Sequence, residues 1–214
     1  MLPVAVRLPE LFMSRVLLPL RVLTFGAVVA MLGGCAGGSL PTLGYADATA
    51  SVDRSARAGV DAAPQGSWQQ VPKGAFDHRD YSGTTLEVQR ARQLINKYRA
   101  EKGLKPLKLN SQLARAAKNH SRDLAKWDRI SHHGSDGSNP WKRVARTGYN
   151  ARLTAENVGT GQITIDEVFK GWQDSPGHNK NLLLADAEEM GIALVYDPKT
   201  EFKTFWTLVL GAQM

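Results

Sequence analysis

The residues best suited to chemistry fall in three short stretches: "SHHGSDGSNP" (131–140), "TAENVGTG" (154–161) and "EVFKGWQDSPGHNKNLL" (167–183). They contribute His132, His133, Glu156, Glu167 and His178. Two imidazoles and two carboxylates make a mixed nitrogen and oxygen donor set that could hold a divalent cation. The same groups could divide general-acid and general-base work. Taken singly each has a plainer reading, as a solvated loop histidine or a surface acid. His120 falls in an apolar helical stripe and reads as a core-edge histidine with a satisfied ring. A nucleophile at Ser131 or Ser175 is conceivable, but no strained nucleophile elbow is visible around either. Residue pattern alone does not bring these groups together in space.

The elements that must position them follow from periodicity. In "TLEVQRARQLINKYRAEKG" (85–103), Val88, Ala91, Leu94, Ile95 and Tyr98 share one helical face and Gly103 ends the run. After Leu109-Asn110, Leu113, Ala116, Ala117, His120, Leu124 and Trp127 recur at helical spacing, so a second helix buries one side. A third helix is expected over roughly 165–173, where Glu167 lies beside the face formed by Val168 and Trp172. It stops at Ser175-Pro176-Gly177. His178 follows that break, with Asn179, Lys180 and Asn181 read as helix-start or rim residues and Leu182 and Leu183 as core anchors. "MGIALVY" and "FKTFWTLVLG" are strand-like runs joined by Asp197-Pro198-Lys199-Thr200, a plausible hairpin. Helices first and a hairpin last give an α+β class.

In order and spacing, "SHHGSDG", "GYNARLTAENVGTG", "EVFKGWQDSPGHNKNLL" and "EMGIALVY" resemble the bacterial branch of the CAP superfamily, the SCP-like domains. The resemblance covers about 84–214. It implies an α-β-α sandwich with a central antiparallel sheet flanked by helices, and a cleft lined by a His-Glu-Glu-His tetrad. Matched by motif, the tetrad falls on His132 (in Ser-His), Glu156 (in Glu-Asn), Glu167 (in Glu-Val, five residues before a tryptophan) and His178 (in Ser-Pro-Gly-His). His133 is an extra imidazole that could take the place of His132. The cysteines of eukaryotic members are absent, and Leu208 stands where members commonly carry glutamine after Trp-Thr.

The N-terminus carries a different signal. "RVLTFGAVVAMLGGC" (21–35) has an arginine, a short apolar run and small residues before the single cysteine. It is too short to span a bilayer comfortably and has the layout of a secretory leader. Its ending resembles a bacterial lipobox, which implies cleavage before Cys35 and lipidation of that thiol with acyl chains such as palmitate. Residues 1–34 are then a lipoprotein signal peptide, with Met13 an alternative start, and 35–83 a lipidated cysteine and flexible tether. Ala-Gly-Gly after the cysteine, without aspartate, implies an outer-membrane destination in a two-membrane bacterium. The formal charge of +7, from 27 basic and 20 acidic residues, is spread without a dense basic block. That suits an anionic envelope surface and argues against nucleic acid as a partner.

The resulting expectation is an envelope-anchored, non-enzymatic module whose His132, Glu156, Glu167 and His178 cleft binds a divalent metal, zinc or magnesium, or a small lipid or cell-wall ligand. Asn157 and the amides of 178–181 would support it from outside the donor set. One alternative is a hydrolase of cell-wall glycan or peptide with Glu156 and Glu167 as acid and base. Another is a structural polar network that ties helices to the sheet. Trp141, Trp172 and Trp206 are as readily core as the lining of a lipid groove.

Overall fold

The computed structural model describes residues 71–214. The elements run α1 (Val88–Glu101), β1 (Lys108–Leu109), α2 (Ser111–Trp127), α3 (Pro140–Ala145), β2 (Ala151–Thr160), α4 (Ile165–Asp174), α5 (Pro176–Leu182), β3 (Glu189–Tyr196) and β4 (Thr204–Gln213). One sheet has the order β1-β3-β4-β2. β4 pairs antiparallel with both β2 and β3, while the short β1 lies parallel to β3. The expected hairpin is therefore β3–β4, and the sandwich with helices on both faces is borne out.

Alternation along β4 sorts the two layers. Trp206, Leu208, Leu210 and Ala212 join Ile95, Val168, Phe169, Trp172 and Leu182 in a core beneath α1, α4 and α5. Val209 points the other way, into a cluster with Leu113, Ala117 and Val144 from α2 and α3. Thr207, also on that side, accepts a hydrogen bond from Ser121 Oγ of α2 at 2.8 Å. Leu208 is wholly buried, so apolar packing takes up its side chain.

Close approach of α2 to the sheet depends on Gly191 of β3. A Cβ there would lie 2.0 Å from the Ala114 nitrogen, inside the helix backbone. α2 starts where the Asn110 side chain accepts from the nitrogens of Gln112 and Leu113. Ser175 breaks the chain between α4 and α5, and Pro176 opens α5 at its first turn, where its missing N–H costs nothing.

Four details differ from the sequence expectation. β2 replaces what read as a small-residue stretch, because it is buried along nearly its whole length and shows no polar alternation. Residues 71–83, expected as tether, pack on the domain: Tyr81 is buried and its hydroxyl donates to the Gly161 carbonyl at 2.8 Å. Val88 and Trp127, placed on buried faces by periodicity, are exposed at helix ends. Asn181, read as a rim residue, is fully buried, whereas Leu183 is only partly so.

Candidate functional site

The site forms around the free edge of β2, where the two helical layers meet. Register places Glu156 opposite Val209, on the α2 and α3 face, and Asn157 opposite Leu208, on the α5 face. Glu156 is completely buried. Its Oε2 accepts from Arg143 Nη2 of α3 at 2.6 Å, and its Oε1 lies 3.0 Å from His132 Nδ1. His120 Nε2 of α2 is 3.5 Å from the same Oε1 and 2.8 Å from the Ser131 carbonyl. Burial alone would push the Glu156 carboxyl up, but Arg143, His120 and the His132 hydrogen bond together hold it well below the usual carboxylate range. It is a permanent anion whose charge Arg143 offsets.

That anion fixes the tautomer of His132. A carboxylate only accepts, so His132 Nδ1 carries a proton, and in the neutral ring Nε2 keeps its lone pair. Nε2 is buried without a hydrogen-bond partner. His178 approaches from the other side, its ring centre 6.4 Å from that of His132. α5 is held there through β2: Asn181 Nδ2 donates to the Glu156 carbonyl at 3.0 Å and to Asn157 Oδ1 at 2.9 Å, and Asn157 Nδ2 donates to the His178 carbonyl at 3.0 Å. Backbone at α5's far end is gripped by the buried Arg99, which donates to the Leu182 carbonyl at 2.9 Å.

His178 is 1% exposed and neither ring nitrogen has a partner. Burial, with a smaller contribution from His132, lowers its pKa to about 4. At neutral pH it is an uncharged imidazole with one unused donor and one unused lone pair. Orphaned buried polar groups of this kind cost about 1–3 kcal/mol each, so their persistence points to a use.

The four residues singled out from sequence do not form one set of ligands. His132, Glu156 and His178 come together. Glu167 is engaged elsewhere: Oε1 takes Arg79 Nη2 at 2.6 Å and Oε2 takes the Ile163 nitrogen at 2.9 Å. Thr164 accepts from the Glu167 nitrogen at 3.2 Å, so this glutamate belongs to the cap of α4. Among the described residues no three His, Cys, Asp or Glu side chains are gathered as metal ligands. Glu156 has both oxygens committed and stands behind His132 as a buttress.

Residues missed from sequence are Arg143, the counter-ion, and the part His120 plays. His120 is buried as expected, but its Nδ1 lacks a partner, so its ring is only half satisfied. Burial lowers its pKa to about 4. His133 donates its backbone N–H to Ser131 Oγ at 2.9 Å, and its Nδ1 is also unpartnered. Trp172 and Trp206 are core residues, donating to the carbonyls of Val158 and Gln162 at 2.9 and 3.0 Å.

The α-β-α sandwich matches a known class. Residues 92–210, more than half of the chain, match the model of the cysteine-rich secretory protein (CAP) family, and the chain belongs to that family. It is 30% identical over 115 residues to the uncharacterized protein YkwD of Bacillus subtilis, covering 54% of this chain and 43% of that one. It is 24% identical over 123 residues to the uncharacterized membrane protein YlbC of the same organism, covering 58% and 36%. The chain thus spans less than half the length of these curated relatives. An extracellular SCP-domain protein from Bacillus anthracis superposes with a TM-score of 0.53 at 27% identity, covering 58% of this chain and 40% of that one. An outer surface protein of Borrelia burgdorferi superposes at 0.52 with 20% identity, over 62% and 99%, which speaks to fold alone.

Proposed function

We propose that this chain is an extracytoplasmic CAP-family binding module in which His132 and His178 together hold a divalent cation or a small polar ligand, without catalysis. One observation carries the reading: two imidazoles, His178 fully buried and His132 mostly so, stand close together with unused nitrogens, one of them oriented by a buried carboxylate. A carboxylate behind a histidine whose other nitrogen is free is the arrangement that supports metal-bound imidazoles, fixing the tautomer and raising basicity.

The donor set favours zinc over magnesium, which wants oxygen ligands that are not free here. A Zn–N length of about 2.1 Å puts two ring centres about 5.3 Å apart at a tetrahedral angle, so the rings, 6.4 Å apart, would close by about 1 Å on a shared ion. Glu156 and Arg143 cancel, so the pair would leave an ion's charge and open positions to water or to donor atoms of the ligand. A hydrolase using Glu156 and Glu167 as acid and base gets no support: the first is locked as an anion by Arg143 and the second is tied to Arg79.

The extracytoplasmic placement draws on the Bacillus anthracis relative, an extracellular protein, and on the lipobox at Cys35, which lies outside the described residues. No helix among the described residues is long and apolar enough to cross a membrane. In this reading the lipidated N-terminus holds the domain to the envelope, at the outer membrane, where lipid or peptidoglycan would be the ligand. Zinc titration calorimetry of the wild type beside His132→Ala/His178→Ala tests the site. Binding heat lost in the double variant supports it, and equal heats would contradict it.

A further inference from the structure

The basic residues that look scattered along the sequence are collected by α2. Arg115, Lys118, Arg122 and Lys126 are spaced by three or four residues, share one helical face and are all exposed. Leu113, Ala117, His120 and Leu124 mark the opposite, buried face. The row extends about 16 Å at the helical rise per residue. Among the described residues none of the four has an acidic partner; Arg115 only donates to the Thr147 carbonyl at 2.8 Å. The nearby acids are occupied, Asp123 by Ser135 and Asp128 by the nitrogens of Glu201 and Phe202.

Trp127, the most exposed aromatic of the domain at 52%, follows Lys126 at the helix end, about 100° around the axis from the row and past the end of the buried face. Lys126 Nζ and Arg129 Cζ each lie 5.4 Å from its ring centre. An exposed indole flanked by cations is the side-chain combination that settles at a bilayer's polar boundary, where the ring takes the interfacial depth and the cations meet phosphate. A soluble polyanion would use the cations but would have no need of the indole.

We infer that the outer face of α2 docks on an anionic phospholipid surface, through Arg115, Lys118, Arg122 and Lys126 with Trp127 as the interfacial anchor. The attraction is electrostatic and screened by salt. It would orient the domain on the membrane independently of what His132 and His178 bind.

Flotation of the full chain with vesicles of phosphatidylcholine alone, or with about one quarter phosphatidylglycerol, tests this. Any contribution of the N-terminal segment is common to all variants and cancels when variants are compared on the same vesicles. The wild type is expected to bind the anionic vesicles more than about 10-fold better at low salt, with the gain lost at high salt. Lys118→Gln/Arg122→Gln/Lys126→Gln should abolish most of that gain. Trp127→Ala should weaken vesicle binding severalfold while leaving binding to soluble polyphosphate unchanged. All these side chains are exposed, so unchanged thermal unfolding serves as the fold control. A triple variant that keeps the gain would overturn the inference. So would a Trp127→Ala variant that binds vesicles like the wild type, which would make a soluble polyanion the partner.

Discussion

His132 Nδ1 and Glu156 Oε1 lie 3.0 Å apart, one in the loop between α2 and α3 and the other buried in an edge strand. This contact gives His132 its tautomer and leaves Nε2 unused in front of His178. If it supports ligand binding rather than packing alone, Glu156→Gln should weaken zinc binding by about 10–100-fold while leaving some affinity in place. Competition with a chromophoric chelator measures this, and an unchanged affinity would confine Glu156 to a structural role.

Arg143 should matter more to stability than Glu156 itself. Arg143→Met leaves a buried carboxylate without its counter-ion, a loss of about 3–5 kcal/mol in comparable pairs. Glu156→Gln in the Arg143→Met background should recover part of that loss. Urea denaturation of the single and double variants gives the coupling, and additive losses would contradict it.

Glu167→Gln should cost about 0.5–1 kcal/mol, because its ion pair with Arg79 is partly exposed and its cap on α4 is one of several contacts. Zinc affinity should not change. A drop in affinity would return Glu167 to the ligand set that its motif suggested.

Stability of the metal-free protein should fall as pH drops. His120 and His178 have folded pKa values of about 4, below the ordinary 6.5. Between those values the unfolded chain binds more protons, so their contribution is complete above about pH 6.5 and declines toward pH 4. Melting in the presence of chelator at pH 7.0 and 5.0 should show the decline, and His120→Gln should reduce it. A melting temperature that does not fall between those pH values would show that neither ring is buried as a neutral group.

The layers of the sandwich were readable because they rest on local rules. Leu113, Ala117 and Leu124 repeat at helical spacing, Pro176 stops α4, and two β-rich runs flank Asp197-Pro198. β2 was not readable, since a strand buried on both faces loses its alternation. Trp127 was misplaced because periodicity does not show where a helix overhangs its core. At the candidate site, motif order singled out His132, Glu156 and His178, which the fold brings together. The role of Glu167 carried its own signal in the spacing Thr164-x-x-Glu167, a helix-start pattern. Arg143 was silent, because nothing local to "PWKRVA" announces that one of its cations turns inward to a strand formed later in the chain.

The most direct test reads the histidine rings themselves. Two-dimensional nitrogen–proton spectra of imidazole-labelled protein report the tautomer of each ring and its response to zinc. If the pair is the site, His132 carries its proton on Nδ1 before titration, and zinc shifts the Nε2 of His132 together with a ring nitrogen of His178. His120 and His133 should keep their metal-free nitrogen pattern. Zinc acting on His133 instead, or leaving His132 and His178 unchanged, would contradict it.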